Sequence, residues 1–410
     1  MSVEPRFLQI HALTPYVAAL LNRDDVGRAK RLPFGGAERT RVSSQCLKRH
    51  WRRAVDEWSF DQLGVPLAVR SRITFRKEIA EPLIAEGLPS DVVVTVVAAL
   101  QAKLLGASAK AEKERSQKKG RQGEGENSSD LLERLDTNQV IVLGRPEIEF
   151  IKNAARDLAH DATAVKDATK AAETYVKENR ANLEALSKAS GLDGALFGRM
   201  VTSDYLARGD AAVHVAHAFT VHGEEAEPDY FTAVDDLRQS AGEMGSGLIA
   251  TSELTSGLFY VYVVVDVRLL VSNLEGCDAR GWHEADRDLA SSVVEHLIHL
   301  IASVSPGAKR GSTAPYGYAE LMMIEAGARQ PRSLANAFLR PVSTRGDLRA
   351  NAFRGLGEHL AGFDRMYGRR ELRRFASIAD PGALPADPAE GLDALAAWAA
   401  GLVRDGGDAA

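Results

Sequence analysis

The stretch Gly257–Val267 (GLFYVYVVVDV) decides the fold class, because it is apolar at nearly every position. A strand with one face in water alternates apolar and polar residues, so an unbroken apolar run of strand length predicts a central strand that is covered on both faces. The stretch Phe7–Leu13 (FLQIHAL) alternates instead, with Leu8, Ile10 and Ala12 on one side. This alternation predicts a first strand.

A helix is predicted after the loop that follows the first strand. It begins near Ser43 or Ser44, either of which can cap a helix N-terminus. Four apolar side chains follow at helical spacing and are expected to face the core, whereas four cationic side chains lie largely on the other sides. The apolar set is Leu47, Trp51, Val55 and Trp58, and the cationic set is Lys48, Arg49, Arg52 and Arg53.

The rest of the chain also mixes helices and strands. Trp282–Val304 predicts an amphipathic helix, and Leu321–Glu325 and Ala337–Val342 predict short strands. Residues 60–200 predict helices, apart from 109–130, whose lack of large apolar side chains predicts a mobile loop. This order predicts an α+β core of the split β-α-β type with a helical insertion.

The composition excludes several classes of protein. With 45% hydrophobic and 26% charged residues, the chain is neither disordered nor collagen-like, and two cysteines in 410 residues argue against a secreted disulfide framework. No apolar run approaches the ~18 residues of a membrane helix, and the N-terminus lacks the pattern of a signal peptide. We therefore expect a cytoplasmic protein that does not contact a membrane.

Charge is distributed unevenly around a net value of −5. Residues 28–53 contain nine Lys or Arg and one acidic side chain, whereas residues 378–410 contain six acidic side chains and one basic. A basic segment in an acidic chain attracts phosphates, although a solvated helix face gives the same pattern. Residues 224–255 are acidic, rich in glycine and carry Tyr230 and Phe231, which predicts a protruding hairpin or loop.

Candidate catalytic and metal-binding residues are few. His214 and His222 share one face of a predicted strand and His217 lies on the other, so the three do not converge on one zinc ion. The pairs Asp24-Asp25 and Asp235-Asp236 have the chemistry to share a magnesium ion, but such pairs more often cap helices or pair with arginine. No Walker loop, GxSxG or HExxH motif is found. We expect no cofactor, no metal site and no catalytic residue.

A series of short motifs recurs in a fixed order over residues 8–342. The motifs are Leu21–Asp25 (LNRDD), Phe34–Gly36 (FGG), Arg39–Arg49 (RTRVSSQCLKR), Gly198–Ser203 (GRMVTS), Ala216–Ala218 (AHA), Tyr230–Leu237 (YFTAVDDL), Thr255–Tyr260 (TSGLFY), Pro306–Lys309 (PGAK) and Ser333–Phe338 (SLANAF). Together they resemble the CasC family, the backbone subunits of the type I-E CRISPR Cascade complex. The chain departs from the family's pattern at 109–130, around 240–247 and in its C-terminal tail.

The resemblance implies a fold like a right hand. An RNA-recognition-motif (ferredoxin-like) palm would hold the strands, helical fingers would form the middle section, and a thumb hairpin would protrude. The palm would comprise residues 1–58, 201–223 and 255–378, the fingers 59–200, the thumb 224–254, and an acidic C-terminal helix or tail 379–410.

The resemblance also implies partners and contacts. About six copies of the chain would line a CRISPR guide RNA as a helical filament, in which many weak binding sites act together on one RNA. Other Cascade subunits would join them, and target DNA would pair with the guide on this scaffold. The implied guide contacts are Arg23, Ser43, Gln45, Lys48, Arg49, Arg52, Met200, Lys309 and Arg310. The implied thumb contacts with the duplex are Tyr230, Phe231, Thr232, Val234 and Ile249.

Two functions of different class remain open at this point. The first is a non-catalytic RNA-binding assembly subunit, which would bind phosphates and sugars and leave base edges free. The second is a metal-dependent endoribonuclease of the same superfamily that uses Asp24 or Asp25. The sequence also leaves open whether Phe259, Tyr260 and Tyr262 stack bases on the sheet, as in a usual RNA-recognition motif, or belong to the core.

Overall fold

The computed structural model describes residues 4–105, 128–161, 165–187, 191–199, 209–234 and 246–405, and of residues 128–129, 184–187, 231–234 and 246–250 we describe the backbone alone. The chain divides into two compact units. The palm unit comprises Met1–Leu63, Val213–Val267 and Arg287–Ala410, and the helical unit comprises Gly64–Ala212 and Arg268–Asp286. The predicted mobile loop 109–130 lies outside the described residues up to residue 127, and Ser128 begins a helix.

The strands and helices are numbered in chain order. The strands are β1 (Phe7–Ala19), β2 (Arg31–Phe34), β3 (Ala37–Val42), β4 (Val69–Ser71), β5 (Ile141–Leu143), β6 (Val213–Val215), β7 (Ala218–Thr220), β8 (Ala226–Val234), β9 (Ser246–Asp266), β10 (Leu321–Gly327), β11 (Leu372–Ser377) and β12 (Asp387–Pro388). The α-helices are α1 (Ser44–Arg52), α2 (Glu81–Ala85), α3 (Ser90–Leu105), α4 (Ser128–Glu133), α5 (Arg145–His160), α6 (Ala168–Glu178), α7 (Arg180–Ser187), α8 (Leu192–Phe197), α9 (Val267–Glu275), α10 (Asp288–Ser303), α11 (Arg310–Thr313), α12 (Leu348–Tyr367) and α13 (Leu392–Asp405).

The palm unit is built on one sheet with the strand order β12-β11-β10-β1-β9-β7-β3-β2, and β6 and β8 also pair with β9. Its middle strands, in the order β10-β1-β9-β7, are all antiparallel neighbours. With α1 after β1 and α10 before β10, this is the arrangement of a split β-α-β fold. The predicted α+β class with an RNA-recognition-motif palm is therefore confirmed.

Both faces of this sheet are covered. On β1, Leu8 and Ile10 are fully buried on the side expected from the alternation, where α10 contacts β1 and α13 packs on α10. On the opposite face, Leu13 packs in a cluster with Tyr260 of β9 and Phe353 of α12. Because α12 covers this face, a buried strand such as β9 needs apolar side chains in both directions, and its sequence supplies them.

A buried polar cluster lies among the apolar side chains on the α12 side. Glu325 of β10 is fully buried and accepts hydrogen bonds from Arg332 at 2.5 and 2.8 Å, from Arg373 at 2.5 Å and from His11 at 3.1 Å. Burial alone would raise the pKa of Glu325, but the contacts with His11 and Arg332 outweigh it and hold the pKa well below its usual range. Each buried charge thus has a partner of opposite charge, as a stable interior requires.

Two local predictions in the palm unit are wrong. Val55 is 95% exposed, because α1 ends at Arg52 and the helical register does not reach this residue. The segment Ala337–Val342 forms no strand; a 3-10 turn at Ala335–Phe338 places Phe338 in the core instead. Short apolar runs do not distinguish a strand from a buried turn, which explains the second error.

Two segments belong to other units than the resemblance implied. Helix α13 of the acidic tail is part of the palm unit, because Leu395, Ala399 and Leu402 are buried. The segment Arg268–Asp286 belongs to the helical unit rather than to the palm. The side-chain amide of Asn273 ties it there, donating to the carbonyls of Ala195 and Asp210 at 2.9 and 3.0 Å.

The helical unit has its own core and a two-stranded sheet of β4 and β5. Buried side chains of α3, α5 and α6 form this core, among them Val97, Ile151 and Val176. Arg199, from the GRMVTS motif, is buried and donates to the Glu147 carboxylate at 2.6 Å. Among the described residues of the whole chain, the helices are too short or too polar to span a bilayer.

Candidate nucleic-acid interface

The LNRDD motif forms a tight loop that positions its neighbours. The Asp24 Oδ1 atom accepts hydrogen bonds from the backbone N–H groups of Val26 and Arg28 at 3.1 and 2.8 Å, and so closes the loop. The Asn22 side chain accepts from the N–H of Ser43 at 3.0 Å and joins this loop to the start of α1. The motif therefore has a structural role that holds Arg23, which is exposed, beside the basic helix.

Helix α1 begins as predicted. Ser43 is its N-cap, and its hydroxyl accepts a hydrogen bond from the N–H of Cys46 at 3.3 Å. Trp51 is 1% exposed and anchors the helix, whereas Gln45 and Arg49 are exposed. Ser43 itself is buried and serves the cap, so a phosphate contact from its side chain stays a prediction.

A cleft of about 520 Å³ lies between the LNRDD loop, α1 and the loop that follows α10. Arg23 and Arg49 line it with His50, and Gly307 and Ala308 form the opposite wall. The isolated β-bridge between Leu20 and Ala308 holds this wall in place. The cleft therefore places the predicted contacts Arg23 and Arg49 beside Gly307 and Ala308, which directly precede the predicted contacts Lys309 and Arg310 and lie more than 250 residues away in sequence.

His50 is held in one neutral form at the edge of the cleft. Its Nδ1 lies 2.8 Å from the Cys46 carbonyl and so donates, and its Nε2 accepts from the N–H of Gly307 at 3.4 Å. Burial lowers the pKa of His50, and the nearby Arg310 and Arg49 lower it further. Burial raises the pKa of the adjacent Cys46 thiol, which disfavours the thiolate that a nucleophile needs. This Cys–His pair is thus an anchor for the loop at Gly307.

Asp24 and Asp25 line the same cleft. Their carboxylates reduce its positive charge and are the groups that the nuclease hypothesis invokes. Among the residues that the structure describes, no three His, Cys, Asp or Glu side chains come together as a metal site. Of the predicted histidines, His222 is buried against the backbone of Gly223 and Leu258, while His217 contacts Arg41. Asp235-Asp236 lies outside the described residues.

The basic segment 28–53 does not present all its charge to solvent. Arg39 is fully buried and donates to the carbonyls of Thr220 and Phe338 at 3.0 and 2.9 Å. Arg31 forms ion pairs with Glu224 and Glu253 at the base of the hairpin. Counting charges in the sequence therefore overestimated the cationic surface, because several of these side chains hold the palm together.

Lys309 and Arg310 directly follow Ala308, the last residue of the cleft lining, and both are exposed. Lys309 has φ +53°, in the left-handed region, and α11 begins directly after it. Lys48 and Arg52 of α1 are half-buried and have interactions of their own.

The predicted thumb is seen as two paired strands. β8 and β9 are antiparallel from Ala226 opposite Thr255 to Ala233 opposite Leu248, and β9 continues without interruption into the palm sheet. Tyr230 is 64% exposed. Four further predicted thumb residues belong to these strands, and only their backbone is described: Phe231, Thr232, Val234 and Ile249. Met200 lies outside the described residues.

Comparison with known proteins agrees with this architecture. A model of the CT1975-like protein family matches residues 8–398. The chain belongs to the CT1975-like family of Cas proteins. No curated protein matches it significantly in sequence. A chain of a solved structure described as "CRISPR RNA-guided surveillance complex, pre-nicking" is 26% identical, with a TM-score of 0.75 over 97% of this chain and all of the other.

A second structure, described as "CRISPR RNA-guided surveillance complex", contains a similar chain. Its TM-score is 0.63 at 24% identity, over 95% of this chain and 99% of the other, and it supports the fold. Both comparisons extend over nearly the whole length of this CT1975-like protein.

The structure also identifies residues that sequence reasoning missed. Asn22 and His50 each accept a hydrogen bond from a backbone N–H group at the cleft. Asn22 accepts from Ser43, 21 residues away in sequence, and His50 accepts from Gly307, 257 residues away. Asn22 lies inside the LNRDD motif, which was the available signal. Nothing in the sequence around His50 indicates that it contacts Gly307.

Proposed function

We propose that this CT1975-like protein is a CasC-type, non-catalytic backbone subunit of a type I-E Cascade surveillance complex. It binds the CRISPR guide RNA in the cytoplasm, and copies of it, with other Cascade subunits, form a filament on which target DNA pairs with the guide. The observation that carries the proposal is the cleft that Arg23 and Arg49 line together with Gly307 and Ala308, which directly precede the exposed Lys309 and Arg310. Similarity to chains of two RNA-guided surveillance complexes supports it.

The chemistry of the cleft suits backbone recognition. Exposed guanidinium groups bind phosphate oxygens without regard to base identity, as a holder of many different guides requires. The affinity of each copy need not be high, because neighbouring copies along one RNA act together, and about six such copies are implied. The half-buried neutral His50 and the raised pKa of the Cys46 thiol favour binding over acid–base or nucleophilic chemistry.

The test is RNA binding by the Arg23→Ala and Arg49→Ala variants at several salt concentrations. We expect weaker binding to every single-stranded RNA sequence, with the slope of log K against log salt reduced by about 0.7 for each lost phosphate contact. Arg345→Ala, in an exposed loop outside the cleft lining, is the matched control. Unchanged affinity and slope in the folded cleft variants would refute the proposed site.

A second candidate function is a metal-dependent endoribonuclease. The observation that favours it is that Asp24 and Asp25 line the cleft. Incubation of the purified complex with RNA complementary to its guide, with and without Mg²⁺, separates the two functions. Regular Mg²⁺-dependent cuts that disappear with Asp25→Asn would support the nuclease. Intact RNA in both conditions is the result that we expect. Asp24→Asn is less decisive, because Asp24 also closes the loop.

A further inference from the structure

Two tyrosines lie exposed on the loop that joins α11 to β10. Tyr316 is 71% exposed and Tyr318 is 67% exposed. Large aromatic side chains are costly to leave in water, and tyrosine in particular is common at binding surfaces because its ring is apolar and its hydroxyl is polar. The sheet aromatics Tyr260 and Phe259 are only 1% exposed, so the usual stacking surface of an RNA-recognition motif is closed here.

The loop holds these tyrosines rigidly. Gly317, between them, packs so closely on β1 that a Cβ atom there would lie 2.2 Å from the carbonyl oxygen of Pro15. The hydroxyl of Ser305 accepts from the N–H of Gly317 at 2.9 Å and also lies 3.0 Å from its carbonyl oxygen. A fixed loop loses little conformational freedom on binding, which favours affinity.

Backbone strain is concentrated on the same surface. In the described residues, the non-glycine residues with positive φ are Ala18, Lys309 and Ala314, with φ of +47°, +53° and +39°. Ala18 lies at the end of β1 that supports Gly317, and the other two flank α11. Left-handed non-glycine residues persist where the surrounding structure enforces them, and they cluster at ligand-binding sites.

The tyrosine loop lies close in sequence to the wall of the cleft. Gly307 and Ala308 of that wall precede it with only Lys309 and the short helix α11 between them, and the bridge between Leu20 and Ala308 joins the wall to the start of the LNRDD loop. A ligand that reaches both must be anionic on one side and flat and apolar on the other. A single-stranded nucleic acid combines these properties, with phosphates for arginine and bases for aromatic rings.

We propose that Tyr316 and Tyr318 form a stacking platform for nucleobases of the guide RNA, next to the cleft that binds its phosphates. This inference rests on the proposed function and adds to it a second kind of contact. Stacking on tyrosine accepts every base, so the platform preserves independence from guide sequence.

The experiment compares Tyr316→Ala and Tyr318→Ala in the full chain with two probes: a short single-stranded RNA of mixed sequence, and a matched oligomer with abasic sites. We expect each variant to lose about fivefold or more in affinity for the RNA, the range that stacking on one aromatic ring supplies, and to bind the abasic oligomer as the wild type does. Tyr→Phe at either position should keep the RNA affinity. Tyr367→Ala, a half-exposed tyrosine on α12, is the control.

The outcomes are distinguishable. Equal loss on both probes, or no loss on either, would overturn the platform while leaving the phosphate cleft intact. Altered self-association with unchanged RNA affinity would assign the tyrosines to a contact between copies and would likewise overturn it. Failure of the wild type to bind the RNA would refute the proposed function itself.

Discussion

Two sets of tyrosines in the palm unit have opposite environments. On the sheet, Tyr260 and Tyr262 are buried under α12, and burial raises the pKa of both hydroxyls. The Tyr260 hydroxyl lies 2.9 Å from the His11 Nδ1 atom and accepts from the N–H of Leu334 at 3.1 Å. On the loop before β10, Tyr316 and Tyr318 face solvent. Tyrosine thus stabilises the fold on the sheet and is accessible to a binding partner on the loop.

The difference shows how a covered RNA-recognition motif can still bind RNA. When a helix occupies the face on which bases usually stack, the sheet becomes a second core, and its aromatic side chains contribute to folding. RNA contacts must then come from the loops and helix ends at the edge of the sheet. The LNRDD loop of the cleft follows the end of β1, and the tyrosine loop precedes the start of β10, so both lie at strand ends of the sheet.

The largest expected effect concerns the buried cluster below the sheet tyrosines. Glu325→Gln removes the negative charge that pairs with Arg332 and Arg373, and breaking a buried pair costs about 3–5 kcal/mol of unfolding free energy. Denaturant unfolding measures this loss. Glu358→Gln, an exposed carboxylate of α12, should leave stability unchanged. A loss below about 1 kcal/mol would show that the cluster is not needed to cover the sheet.

The stability of the wild type at acid pH should also depend on this buried cluster. The folded-state pKa of Glu325 lies below its unfolded value of about 4.3, so its contribution to stability is present above that pH and is lost as the pH falls toward the folded pKa. The stability advantage of the wild type over Glu325→Gln should therefore begin to shrink as the pH falls below about 4.3 and should keep shrinking at lower pH. A constant difference in melting temperature down to pH 3 would contradict this pairing.

A smaller effect separates the two sets of tyrosines by one identical substitution. Tyr260→Phe leaves a buried backbone N–H and His11 without their partner and should cost about 1–3 kcal/mol. Tyr318→Phe removes an exposed hydroxyl and should change stability by less than about 0.5 kcal/mol. Thermal unfolding of both variants measures the two losses of stability. Equal losses would show that the sheet and loop tyrosines do not differ in their contribution to folding.

A local effect of about 1 kcal/mol is expected at the start of α1. Ser43→Ala removes the cap that accepts from the N–H of Cys46, and caps of this kind contribute about that amount. Ser43→Asp should retain most of the stability while adding negative charge beside the cleft. If RNA affinity falls with Asp but not with Ala, Ser43 acts through the helix and not through a phosphate contact of its own.

The sequence predicted the parts of the fold that local patterns specify. Gly257–Val267 predicted the central strand, and Ser43 predicted the helix start, because apolar runs and caps act over a few residues. The turn at Ala335–Phe338 and the end of α1 before Val55 were missed, since both depend on tertiary packing. At the candidate site, Arg49 came from charge spacing and the resemblance, and Arg23 came from the resemblance alone. The role of His50 and the exposure of Tyr316 depend on contacts across the fold, which no local pattern records.

The most direct test of the central claim is the mass of the native complex purified through this chain, with sequencing of the RNA that it contains. We expect several copies of the chain, about six, on one RNA that carries CRISPR repeat and spacer sequence, because many weak sites along one RNA act together. The Arg23→Ala and Arg49→Ala double variant should yield fewer copies or no RNA. A chain that purifies without RNA, or one copy on unrelated RNA, would refute its role as a guide-RNA backbone subunit.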